Sequence, residues 1–185
     1  MEKKKIQKLN KVAIATVLAA SGLAVTAPVL PTKASTHFKD LNPNADYYQP
    51  VLELANRGYI SGYKDGTFRP NQAITRGQAA KMLALSLNLN ITNQRNPGFR
   101  DVPEDHDFYL YIAALANEGI INGYEDKTFR PNEPINRNQM AKILALGYKF
   151  PISSKLTHNF SDVSESNANR YFIQTLYDLG ITKGT

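Results

Sequence analysis

A step of 61 residues governs this chain. Written in rows of that length, Phe38, Phe99 and Phe160 coincide, each followed two positions later by Asp40, Asp101 and Asp162. Leu54, Leu115 and Leu176 share a column without any gap, as do Gly58, Gly119 and Gly180, then Gly62, Gly123 and Gly184. From Phe38 to Leu87 about 25 of 50 positions are identical one step later, well above chance for so short a window. A step of about 60 residues is long for a solenoid but suits a small helical module used several times around an axis.

Inside one module the signals run helix, tight loop, helix. Tyr48, Val51, Leu52 and Ala55 have the i, i+3, i+4, i+7 spacing of one helix face, repeated by Tyr109, Ile112, Ala113 and Ala116. Pro50 falls within the first turn, where a missing N–H costs little. Gly58 and Gly119 follow as left-handed helix stops. Gly62 to Asn71 then reads as a compact loop around an Asp65-Gly66 turn; its counterpart, Gly123 to Asn132, keeps Asp126 but has Lys127 for the glycine. Phe68 and Phe129 are expected to anchor these loops to the core.

The second helix opens on Thr75-Arg76-Gly77-Gln78 and, one step on, Asn136-Arg137-Asn138-Gln139. Both place a capping residue three positions before a Gln, the spacing of a capping box. Apolar stripes follow at Ala79, Met82 and Leu83 and at Met140, Ile143 and Leu144. Each helix nevertheless carries an arginine in its first turn, where the helix dipole disfavours a cation. A rule broken twice at one repeat position marks a place to look for function. One reading has the guanidinium and the free helix-end N–H groups hold a carboxylate ligand. The other pairs Arg76 and Arg137 with a nearby carboxylate such as Asp40 or Asp101. In either case both side chains are expected to face a concave surface between modules.

Charge and composition narrow the classes of function. Of the net +6, residues 1 to 34 carry +5, and residues 35 to 185 have 16 basic against 15 acidic groups. That body lacks the electrostatic footprint of a nucleic-acid binder. The basic stretch to Lys11, the apolar run Val12 to Leu30 and the small residues before Ala34 form an export signal over residues 1–34, with a mature start near Ser35. An uncleaved anchor is the competing reading, opposed by Pro28 and Pro31 inside the run. The absence of cysteine removes disulfides, thiolate metal sites and thiol nucleophiles. His37, His106 and His158 have no metal-ligand spacing, Asp65-Gly66 reads as a turn and not a calcium loop, and no catalytic or phosphate-binding motif occurs. No cofactor is expected.

The combination of Phe-x-Asp, an aromatic-started helix, Gly58-Tyr-Ile-Ser-Gly62-Tyr-Lys-Asp65-Gly66-Thr-Phe68-Arg69-Pro70 and Ile74-Thr75-Arg76-Gly77-Gln78 closely resembles the S-layer homology domain. The resemblance covers two full repeats, residues 38–90 and 99–150, joined by a linker over 91–98. A linker over 151–159 leads to the first half of a third repeat, residues 160–185. It implies an all-α fold: repeated helix-loop-helix modules in a pseudo-trimer around a central helix bundle, with ligand grooves between neighbours and the third module incomplete. It also implies an extracellular, non-catalytic module holding a secreted protein to secondary cell-wall polysaccharide bearing pyruvate ketals. Other S-layer subunits are the further partner, with no membrane contact after signal cleavage.

The family's Thr-Arg-Ala-Glu element falls on Thr75 to Gln78 and on Asn136 to Gln139. The resemblance therefore favours Arg76 and Arg137 as ligand residues, with Thr75, Gln78, Gln139 and the loop residues Asp65, Asp126, Arg69 and Arg130 as further candidates. The acidic residue of the element is Gln in both repeats, and the family's Trp at the first helix is replaced by Tyr47-Tyr48, Phe108-Tyr109 and Tyr171-Phe172. These aromatics either pack the core or stack on sugar rings. The third row reaches Thr185 inside the loop, so at most two family-type arginines are present. The groove that depends on a third is expected to be open or absent. Two alternatives stand beside the anchoring module: the targeting part of a wall hydrolase, and a self-assembling S-layer subunit fragment.

Overall fold

The computed structural model describes residues 38–183; the expected export signal over residues 1–34 lies outside them. Five helices make up the described residues: α1 (Tyr48–Asn56), α2 (Arg76–Ser86), α3 (Tyr109–Asn117), α4 (Arg137–Gly147) and α5 (Arg170–Asp178). Extended pairing among them is limited to one isolated antiparallel bridge, Thr75 with Pro134. The described residues are thus all-α, and each of the first two modules pairs a short first helix with a longer, capped second one.

The first helices stop where the glycine column falls. Gly58, Gly119 and Gly180 take φ of 77°, 70° and 69°, the left-handed region that an L side chain resists. That turn lets Tyr59, Ile120 and Ile181 donate back to Leu54, Leu115 and Leu176, each at 2.9 Å, which satisfies carbonyls the helix end would otherwise strand. In the loop turn Gly66 has φ of 80°, and Lys127 accepts the same conformation at 62°. Phe68 and Phe129 do anchor their loops, lying 5.5 Å from Phe38 and Phe99 between ring centroids.

The packing crosses module boundaries. Ala79, Ala80, Leu83 and Ala84 of α2 share a buried cluster with Tyr109, Ile112, Ala113 and Leu115 of α3, in the following module. Ala141 of α4 likewise joins Phe160, Ile173 and Leu176 of the third repeat. Small residues on α2 and α4 allow this close approach, and the apolar surface removed from water stabilises it by about 25 cal/mol per Å². The two second helices also meet, at Gly147, where an added Cβ would sit 3.0 Å from Leu87 Cδ1. Helix α1 belongs to a smaller cluster of Phe38, Leu41, Val51, Ala55 and Ile60. The 151–159 linker is bonded to α5: buried Gln174 accepts from Thr157 N (3.2 Å) and His158 N (3.1 Å).

The aromatic pairs at the first helices serve mainly as packing. Tyr109 is buried, and Phe108 presses on the start of α2, where a Cβ on Gly77 would lie 2.3 Å from its Cδ2. Tyr47, in contrast, is exposed.

Candidate functional site

The loop residues form a framework that aims the helix starts. Asp40 accepts Phe68 N and Arg69 N, both at 2.7 Å, and Asp101 accepts Phe129 N (2.8 Å) and Arg130 N (2.7 Å). These paired bonds hold Arg69 and Arg130 in the left-handed region, each at φ of 61°, an uncommon conformation for a side-chain-bearing residue. The Phe68 amide is the main cause that pulls the Asp40 carboxyl below the ordinary carboxylate range. Each arginine then lies 3.9 Å over a tyrosine ring, Arg69 on Tyr63 and Arg130 on Tyr124. Each also pairs with its own loop's acid, Arg69 with Asp65 at 2.9 Å and Arg130 with Asp126 at 3.1 Å.

Asp65 and Asp126 close this framework. They accept Thr67 Oγ1 and Thr128 Oγ1 at 2.6 Å, and these hydroxyl bonds are the foremost cause of carboxyl pKa values of about 2. Four of the candidate residues, Asp65, Asp126, Arg69 and Arg130, are therefore engaged with one another inside their loops. Arg69 still borders an open groove; Asp65 and Asp126 border none of the described cavities.

Both capping boxes are complete. Thr75 Oγ1 accepts Gln78 N at 3.2 Å while Gln78 Oε1 accepts Thr75 N at 2.9 Å; Asn136 Oδ1 accepts Gln139 N at 2.9 Å while Gln139 Oε1 accepts Asn136 N at 3.2 Å. The amide nitrogens left over reach the loop tyrosines, Gln78 to Tyr63 Oη at 3.5 Å and Gln139 to Tyr124 Oη at 3.2 Å.

The two arginines of these starts have different fates. Arg76 retains only 8% of its exposure, crossing into the second module to donate from Nε to the Phe129 carbonyl at 2.8 Å. Its Cζ lies 4.4 Å from the Phe129 ring and 5.0 Å from that of Tyr124. Among the described residues no carboxylate comes within ion-pair distance, and its terminal nitrogens have no partner. Desolvation, the largest influence on it, pulls its pKa down. Glu133 and Asp101 offset part of this from beyond ion-pair distance, but a guanidinium held this way is costly without a counter-charge in contact. It borders a cavity of about 170 Å³ that Gln139 and Lys142 share and that no Asp or Glu lines.

The α2 helix end itself is no longer free to hold an anion, contrary to the sequence expectation. Arg76 N donates to the Glu133 carbonyl (2.9 Å), Gly77 N to that of Pro131 (2.8 Å), and Gln78 N to its cap. Only the side chain of Arg76 remains to receive one.

Arg137 takes the structural pairing. Its Nη1 binds Asp162 Oδ2 at 3.0 Å and its Nη2 donates to the Lys183 carbonyl at 3.3 Å. The acid is the member of the Asp40 column that follows it, neither Asp40 nor Asp101. In the first module the equivalent groove, lined by Tyr63, Phe68, Arg69 and Gln78, measures about 490 Å³ and receives no such arginine from a described helix. Of the nine sequence candidates, Arg76 and Gln139 thus meet in one cavity and Arg69 and Gln78 in the other. Lys142 was missed; its place one turn beyond Gln139 on the same helix was the available signal.

Two helix-loop-helix units, each sending an arginine-tipped helix onto its successor, define a class of repeat-built module. The family model of the S-layer homology domain matches residues 37–80 and 98–141, and the chain belongs to that family. An uncharacterized cell wall amidase of Bacillus anthracis is 31% identical over 179 residues, 96% of this chain and 33% of that protein. An S-layer protein of Bacillus thuringiensis subsp. finitimus is 31% identical over 183 residues, 98% of this chain and 22% of that protein. Exoglucanase XynX of Acetivibrio thermocellus is 30% identical over 158 residues, 82% of this chain and 14% of that protein. The chain therefore spans a third or less of these relatives. Family and relatives together indicate a cell-surface or cell-wall location.

Proposed function

We propose that this chain is a non-catalytic anchor that holds a surface protein to the cell wall by gripping an acidic unit of secondary wall polysaccharide, a pyruvate-ketal sugar, in the groove between the first and second modules. The observation that carries this is Arg76, a nearly buried guanidinium without a carboxylate partner beside a cavity lined by no acid. A ketal carboxylate offers it a planar, bidentate counter-charge, while Ile120, Ile121 and Ile135 give the cavity an apolar side for the ketal methyl. Arg137, already paired, stabilises the third repeat.

Relatives named for an amidase, an exoglucanase and an S-layer protein share this region in a small part of their length, which supports an anchoring role independent of what is attached. Co-sedimentation of the chain with purified wall sacculi tests the reading. Binding should occur and should be lost when the polysaccharide, or its pyruvate alone, is removed. Binding that survives both treatments would overturn it.

A further inference from the structure

The cavity beside Arg76 is built by three repeats, not two. Arg76 reaches it from the first, Gln139 and Lys142 line it from the second, and Asn169 enters from the third, immediately before α5. One step earlier the same register position is Phe108, whose ring presses on Gly77 and packs against the largest buried cluster. In the third repeat that apolar ring is replaced by a carboxamide.

An asparagine just before a helix normally caps it, its side-chain oxygen accepting an N–H of the first turn. Asn169 does not. Its backbone, at φ of −100° and ψ of 6°, lies outside the extended region that a capping residue takes, and its side chain makes no cap bond. The helix start is tied instead by Asn167 Oδ1, which accepts Asn169 N at 2.9 Å. Among the described residues the Asn169 carboxamide has no hydrogen-bond partner, although the residue is half-buried. Two N–H donors and a carbonyl taken partly out of water without partners are unfavourable. Local folding thus gives no reason for an asparagine here, whereas a polar ligand in the cavity gives one. Asn122 lines the same cavity, but it is exposed and water can satisfy its amide.

We propose that Asn169 is a specificity-determining residue: its carboxamide hydrogen-bonds a ring hydroxyl of the bound sugar while Arg76 takes the ketal carboxylate, so that the third repeat completes the groove between the first two. The proposal rests on the reading of Arg76 as the receptor of that carboxylate. It divides recognition between two side chains, the guanidinium selecting the acid and the amide selecting the hydroxyl pattern of the ring that carries it. The first-module groove has Phe108 at this position, which offers no such bond.

The test is calorimetric titration of the full chain with a methyl hexoside carrying a 4,6-pyruvate ketal, beside its 2-deoxy and 3-deoxy counterparts. The natural chain should bind the ketal hexoside and should bind one of the deoxy sugars about tenfold more weakly, the scale for removing one partner of a desolvated hydrogen bond. Asn169→Ala should lose about tenfold in affinity for the parent sugar and then distinguish neither deoxy sugar by more than about twofold, because the group that reads the missing hydroxyl is gone. Asn167→Ala, which removes the bond at the helix start and keeps the Asn169 carboxamide, should lower thermal stability and retain the discrimination. Failure of the natural chain to bind the ketal hexoside overturns the Arg76 reading and this proposal with it. Binding that Asn169→Ala leaves intact overturns this proposal alone, as does a natural chain indifferent to both deoxy sugars. So does a weakened Asn169→Ala variant that still discriminates, or loss of discrimination in Asn167→Ala as well, which would place the effect in the packing of α5.

Discussion

Arg76 Nε donates to the carbonyl of Phe129 at 2.8 Å, a bond that ties the second helix of one module to the loop of the next. This bond uses the Nε–H and leaves the two terminal nitrogens of a side chain that lines the shared cavity without a hydrogen-bond partner among the described residues. Arg76→Ala should lower affinity for the ketal sugar by about a hundredfold, the scale for losing a charge-assisted bidentate contact. Arg76→Lys should restore little of it, because an ammonium offers neither the fork nor the flat face that lies over Phe129. Calorimetry on both variants checks this, with the helical circular-dichroism signal as the control for folding.

Arg137→Ala should behave in the opposite sense. Its pair with Asp162 is partly exposed, and such pairs contribute about 0–1 kcal/mol. Sugar binding should be retained within about twofold while thermal stability falls slightly. A loss of binding equal to that of Arg76→Ala would refute the division of roles between the two arginines.

That division shows where sequence reading stops. The repeat, the glycine stops, the capping boxes and the Phe68 and Phe129 anchors were legible because local chemistry dictates each. Arg76 and Arg137 occupy the same position of a capping box, and their fates part on what the next module presents. Asp101 is engaged by Phe129 N and Arg130 N, whereas Asp162 binds Arg137. The docking of α2 on α3 was hidden for the same reason, since an apolar stripe does not say which neighbour it covers. One clue stood in the register: one step of 61 on, Gly77 becomes Asn138 and Phe108 becomes Asn169, a paired change at two positions 31 residues apart.

Gly77→Ala tests that pair. A Cβ would sit 2.3 Å from Phe108 Cδ2, so the ring or the helix must shift, at about 1–3 kcal/mol. Unfolding by denaturant should show this loss, and adding Phe108→Leu should recover part of it despite the smaller side chain. An uncompensated double variant would mean that the ring is not the obstacle.

Asp65 and Asp126, with pKa values of about 2 in the folded chain, make stability depend on pH in a defined window. An unfolded aspartate titrates near 3.9, so the contribution is complete above about pH 4 and disappears as the pH falls toward 2. The Asp65→Asn, Asp126→Asn double variant should be less stable at pH 7 but should lose less further stability between pH 4 and pH 2. Thermal melts across that range measure the slope directly. Asp40 and Asp178, whose carboxyls are also lowered, should leave a residual dependence.

The loop turns offer a reciprocal exchange. Gly66 and Lys127 occupy the same turn position with φ of 80° and 62°, yet only glycine enters that region without steric cost. Lys127→Gly relieves that strain but gains freedom in the unfolded chain, a penalty of about 0.4–1 kcal/mol, so the net gain should be about 0.5–1 kcal/mol. Gly66→Lys should cost about the same, since the nearest obstacle to its Cβ is the flexible side chain of Lys39, 3.2 Å away at Cε. Chemical denaturation of the two single variants should therefore give changes of opposite sign and similar size. A stability loss in Lys127→Gly would show that the lysine stem makes a contact outweighing its backbone strain.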